Sequence, residues 1–120
     1  QAKLREQLNH IQAMYLQEKL DKIHAEDQCV CIFEAALDSI AMRNFVNGAM
    51  ERCDGICGAF IGSDKSGYHY ILGSKERDVR EISKQLNVKF SGKGGGKPQM
   101  VQGSLKGTKK EILEAIESLL

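Results

Sequence analysis

Three consecutive glycines, Gly94 to Gly96, stand between Lys93 and Lys97, and the chain's only proline, Pro98, follows at once. No helix passes through such a run. Each interior glycine costs a helix about 1 kcal/mol against alanine, and a proline about 3. Regular helical structure must therefore stop here, and the stretch reads as a glycine loop leading into a strand at about Met100 to Gln102. Glycine also lets a partner come close to the peptide N–H groups. Flanking lysines add positive charge, so the stretch suits an anion or a phosphate backbone.

The remainder of the 120 residues has room for one modest core and an appendage. Residues 1–27 lack glycine and proline and are rich in helix formers. Leu4, Leu8, Ile11 and Tyr15 form a short coiled-coil-like seam. Leu16, Leu20 and Ile23 repeat the spacing on a rotated face that is expected to turn toward the globular body. Packing onto the domain, homodimerisation through this helix and continuation of a longer helix in a parent protein are all open. Cys29 to Ala35 and Ile56 to Ile61 read as buried strands, with a helix between them capped by Asp38 or Ser39 and ending near Arg52. Tyr68 to Leu72 pairs back on the second strand as a hairpin. Ser74 is expected to start a helix carrying Val79, Ile82 and Leu86 on one face, and Val88 to Phe90 reads as short and extended. Thr108 and Glu111 form a T-x-x-E capping box for a final helix. The expected fold is α/β: a single mixed-sheet domain over 28–120 with helices packed on it, preceded by a long N-terminal helix over 1–27.

The net charge of +1 hides an asymmetry. Residues 63–110 hold eleven Lys and Arg against four Asp and Glu. A basic half suits a polyanion partner. Arg77, Arg80 and Lys84 run i, i+3, i+7 and are expected on one helical face opposite Val79, Ile82 and Leu86. Tyr68 and Tyr70 share a strand face, as base-stacking aromatics do in RNA-binding sheets, although half-buried sheet tyrosines are the commoner case. His69 lies between them and should point the other way. No apolar run nears the roughly 18 residues that span a membrane. Cys29, Cys31, Cys53 and Cys57 have C-x-C and C-x₃-C spacings and read as small buried thiols of a reducing cytoplasm, not as a zinc site. The chain starts without methionine and is expected to be a piece of a longer protein.

Several chemistries fail on their motifs. An NTP-binding P-loop needs Ser or Thr after the Gly-Lys pair, and here Pro98 follows Gly96-Lys97. No helix opens at the glycines, so a dinucleotide fingerprint fails as well. His10, His24 and His69 are widely separated, and no H-x₃-H or H-E-x-x-H set exists to hold a metal.

Gly92-Lys93-Gly94-Gly95-Gly96-Lys97-Pro98-Gln99-Met100-Val101-Gln102-Gly103 resembles the G-x-G-G-G-x-P-x-M-x-Q-G signature of the DHH-associated domain. That domain ends alanyl-tRNA synthetases and the long stand-alone AlaX-type alanyl-tRNA editing proteins. The related loop of DHH phosphoesterases reads G-G-G-H and helps bind a substrate phosphate or nucleotide. Lys97 stands in place of that histidine, which favours the tRNA branch. Synthetases commonly continue R-P-D-M-A-Q-A-G-G, and the shorter Gln102-Gly103-Ser104 ending is closer to the AlaX type. The resemblance implies a tRNA-binding module serving tRNA(Ala) recognition and editing, and a helical segment that helps dimerisation. Lys93, Gly94, Gly95, Gly96, Lys97, Gln102, Arg77, Arg80 and Lys84 are the expected nucleic-acid contacts. The editing zinc motif, H-x₃-H with a later C-x₃-H, is missing, so this piece is expected neither to aminoacylate nor to deacylate and to need no cofactor. Its parent would be an alanine–tRNA ligase or an alanyl-tRNA deacylase, using zinc, and ATP if a synthetase. The alternative is the accessory phosphate-binding half of a DHH phosphoesterase.

Overall fold

The computed structural model describes residues 14–34 and 39–119. Residues 14–21 are helical (α1). There follow β1 (Cys29–Glu34), α2 (Ser39–Arg52), β2 (Ile56–Ser63), β3 (Gly67–Gly73), α3 (Val79–Lys89), β4 (Lys93–Lys97), β5 (Met100–Leu105) and α4 (Lys109–Ser118). The strands form one mixed sheet in the order β1-β2-β3-β5-β4. β1 and β2 are parallel, and every other pairing is antiparallel. The seam positions Leu4, Leu8 and Ile11, and the cap candidate Asp38, lie outside the described residues.

Strand alternation sorts the sheet into two faces. On the first, Ile56, Phe60, Tyr68, Tyr70 and Leu72 meet Val79, Ile82 and Leu86 of α3 and Ile112, Ala115 and Ile116 of α4. Phe33 stacks on Phe60 with ring centroids 4.6 Å apart, and Tyr68 sets its ring edge-on to Phe33. On the second, Ile32, Ala59 and Ile71 meet Met42, Phe45, Val46 and Ala49 of α2. Leu16 and Leu20 of α1 join this second cluster, as the rotated spacing leads one to expect. Tyr15, one residue before Leu16, is exposed. β2 is covered on both faces, which is why its sequence is a continuous run of apolar and small residues.

Three local readings are corrected. Ser74 does not start α3. It is fully buried, accepts the Arg77 N–H on its hydroxyl and donates its own N–H to the Gln99 carbonyl. The helix begins at Val79, capped by Asp78, whose carboxylate accepts the Arg80 N–H at 2.9 Å. Val88 to Phe90 is not extended either. It is the last turn of α3 and its cap, because Leu86 and Phe90, four residues apart, both reach the core while Val88 is 80 % exposed. The glycine stretch is not a loop: Lys93–Lys97 is the edge strand β4.

Ser91 follows the cap with a φ of 52°, the left-handed conformation usually given to glycine. The Gly92 N–H closes the motif on the Asn87 carbonyl at 2.8 Å. Exchanging Ser91 for glycine should therefore stabilise the fold by about 1 kcal/mol, read as a raised midpoint in thermal unfolding. An unchanged or lowered midpoint would mean that the serine side chain offsets its backbone strain.

The β2–β3 hairpin is stitched to α4. Asp64, in the turn, accepts the Tyr68 hydroxyl at 2.6 Å and the Lys109 N–H at 3.0 Å. These hydrogen bonds hold the Asp64 carboxyl below its usual range. Burial, reinforced by Asp64, pushes the Tyr68 phenol up to about 12, so it remains a donor at neutral pH. A depressed carboxyl contributes stability above its unfolded pKa of about 3.9 and loses it as pH falls through the lower folded value. Asp64→Asn should lower the melting temperature at pH 7 and flatten this acid limb below about pH 4. A variant whose acid limb matches the parent would remove Asp64 from that role.

Candidate nucleic-acid interface

The hairpin of β4 and β5 turns through Pro98 and Gln99, which pairs Lys97 with Met100, Gly95 with Gln102 and Lys93 with Ser104. Backbone bonds anchor the turn. The Pro98 carbonyl accepts the Val79 N–H at 2.9 Å, and the Gln99 carbonyl accepts the Ser74 N–H at 3.0 Å. The first of these, with Asp78, occupies the N-terminus of α3, so that end is not a vacant anion site. A polar chain ties β4 from below. Tyr70 and Ser83 share a hydroxyl contact of 2.6 Å, Tyr70 donates to Asn87 Oδ1 at 3.1 Å, and Asn87 Nδ2 donates to the Gly94 carbonyl at 3.4 Å.

The three glycines divide by face. Gly94 lies on the helix-covered face, where an added Cβ would strike the Gln102 carbonyl and come within 2.6 Å of the Gly103 Cα. A Cβ on Gly96 would lie 2.6 Å from the Met100 carbonyl. These two glycines permit tight strand pairing. Gly95 looks to the other face, and its Cβ would meet nothing within 4 Å.

That other face is the one on which α2 packs over β2 and β3. Over β5 and β4 it is open: Lys93, Gly95, Lys97, Gln102 and Ser104 are all exposed there, with His69 beside them on β3. Register places His69 opposite Ser104 and Ser104 opposite Lys93, in one row across three strands. This row borders an open hollow of about 390 Å³ whose rim includes Met42 of α2. No carboxylate lies within ion-pairing distance of Lys93 or Lys97 among the described residues.

Arg77, Arg80 and Lys84 are elsewhere. Arg80 and Lys84 are exposed on α3, in the helix layer on the opposite face of the sheet, and Arg77 precedes that helix and does not share its face, so none of the three joins the lysines of β4. Arg77 donates to the Leu119 carbonyl at 3.3 Å. Arg80 is held by its own cap residue, Asp78, at 2.8 Å. Lys84 borders a hollow between α3 and α4. Tyr68 and Tyr70 are buried among core residues and offer no ring to a nucleobase. His69 does point away from them, as alternation requires. Its company with Ser104 and Lys93 depends on the β3–β5 register, which only the fold supplies. Alternation of Met100, Gln102 and Ser104 was the available signal for Ser104.

The thiols form two close pairs, Cys29–Cys31 at 3.5 Å and Cys53–Cys57 at 3.6 Å. The second pair is fully buried and the first half-buried. No helix among the described residues is long and apolar enough to cross a membrane.

No curated protein matches the sequence. Among solved structures, the fold is similar to the C-Ala domain of alanyl-tRNA synthetase from Aquifex aeolicus, with a TM-score of 0.58 and 21 % identity. The likeness covers 81 % of this chain and 92 % of that one. The DHHA1 domain family matches residues 26–120, including every strand, the anchored hairpin and its glycine signature, and the chain belongs to that family.

Proposed function

We propose that this chain is a tRNA-binding module of an alanyl-tRNA synthetase or AlaX-type editing protein. It takes the sugar–phosphate backbone of tRNA, tRNA(Ala) by the resemblance, on the open half of the sheet. One observation carries the reading: two lysines with no carboxylate partner among the described residues flank a glycine with free space above it, on an edge strand paired with β5 and tied from the helix-covered face by Asn87. Lys93 and Lys97 lie four residues apart on one strand face, about 13 Å at ~3.3 Å per residue. They meet two phosphates of one strand that are not adjacent, and Gly95 lets the backbone between them settle on the sheet. The likeness to a synthetase domain supports tRNA as the polyanion. The parent's aminoacylation or editing chemistry, and dimerisation through the N-terminal helix, belong to the longer protein in this reading.

Titrating tRNA binding against salt tests it. Two phosphate contacts predict a log–log slope of about −1.4 to −1.8. Equal weak binding of tRNA and a neutral polymer at low salt overturns the proposal.

A further inference from the structure

We propose that the polar side chains beside the lysines, His69, Gln102 and Ser104, contact the ribose 2′-hydroxyl, so that the platform prefers RNA to DNA of the same sequence. This rests on the reading just given.

The argument starts from what the lysines lack. Ammonium–phosphate contacts position a backbone but carry no information about the sugar. Lys93 and Lys97 alone would hold either nucleic acid. Between and beside them the sheet sets three exposed polar groups. Gln102 pairs with Gly95, the open position between the lysines, and Ser104 pairs with Lys93. His69 continues that second row. With strands about 4.8 Å apart, the row spans roughly 10 Å, so a phosphate on Lys93 leaves its ribose within reach of Ser104 and His69. None of the three side chains has a hydrogen-bond partner among the described residues. They are therefore available to a ligand. A serine hydroxyl and a glutamine amide each offer both donor and acceptor, which matches the 2′-hydroxyl, itself donor and acceptor. The two strand tyrosines are buried on the opposite face, so the site lacks the paired aromatic platform that reads stacked-out bases. What remains exposed is chemistry for a sugar and a phosphate.

The test uses the whole chain, an RNA hairpin and the DNA hairpin of the same sequence, compared by fluorescence anisotropy at one salt concentration. RNA should bind about five- to thirtyfold more tightly, the worth of one or two hydrogen bonds. Ser104→Ala and His69→Ala should each shrink that ratio by about fivefold, leaving DNA affinity and the salt slope unchanged. Ser104→Thr, which keeps the hydroxyl, should retain the preference. Thermal melts of these exposed-site variants check folding. Equal affinity of the wild type for RNA and DNA, with a normal salt slope, overturns the ribose inference and leaves the tRNA platform standing. Loss of RNA and DNA binding in parallel in the alanine variants overturns it too. Absence of salt-sensitive binding to either hairpin instead overturns the platform itself.

Discussion

Gly94→Ala is expected to destabilise the domain by about 1–3 kcal/mol, the usual range for overpacking, while Gly95→Ala leaves stability unchanged or raises it by up to about 0.5–1 kcal/mol. The two positions are neighbours in one Lys-Gly-Gly-Gly-Lys strand, so sequence treats them alike. A Cβ on Gly94 runs into the backbone of β5 and sits 2.9 Å from the Tyr70 hydroxyl. Backbone atoms cannot swing aside as a flexible side chain does. The strands must separate, and the Asn87 bond to the Gly94 carbonyl goes with them. A Cβ on Gly95 meets open space, and its φ is not in the left-handed region. Alanine there only restricts the unfolded chain. Against a total stability of about 5–15 kcal/mol, the Gly94 loss is plain in a denaturant titration. The same pair separates packing from binding: Gly95→Ala should weaken tRNA binding without loss of stability. Equal stabilities for the two variants would sink the division of the glycines by face.

The second large effect is on affinity. Removing both Lys93 and Lys97 should lower tRNA affinity by about tenfold per lysine, as charged hydrogen bonds of ~1.5 kcal/mol each require. The salt slope should fall by about 1 for each lysine and approach zero in the double variant. Arg80→Ala should leave both quantities alone, because its guanidinium already serves Asp78. That pairing holds the Asp78 carboxyl below its usual range and raises Arg80. Lys84→Ala, on the far side of the sheet, should be silent as well. Full tRNA binding by the double lysine variant, together with loss in the Arg80 or Lys84 variants, would move the interface to the outer surface of α3.

Much of the architecture was legible because it follows from periodicity and capping. The apolar run of Ile56 to Phe60, the hairpin at Tyr68 to Leu72 and the Thr108 cap each carry a local signal that the fold keeps. β4 has no such signal. Three glycines give neither alternation nor β-propensity, and the strand exists because Met100 to Leu105 lies across the turn to pair with it. Val88 misleads in the opposite way, being a β-branched residue on the solvent side of a helix whose course is set by Leu86 and Phe90. The site was legible as a list of lysines and glycines, not as a surface. Which lysines share a face depends on β4 being a strand. Arg80 looked available because its partner, two residues away, caps a helix whose start at Val79 the sequence placed too early. His69 and Ser104 lie 35 positions apart in the chain and meet only through long-range register.

β4 is also the last strand of the sheet, and its outer edge has no strand beyond it among the described residues. Glycines have no side chains with which to fend off another backbone, so this edge is a template for sheet-to-sheet addition between copies. Mutual repulsion of the lysines at its two ends opposes that addition. Acetylating them, or neutralising them with a long polyanion at saturation, removes the repulsion. In the proposed reading, charge on this hairpin would bear both on tRNA binding and on whether copies stay apart when crowded.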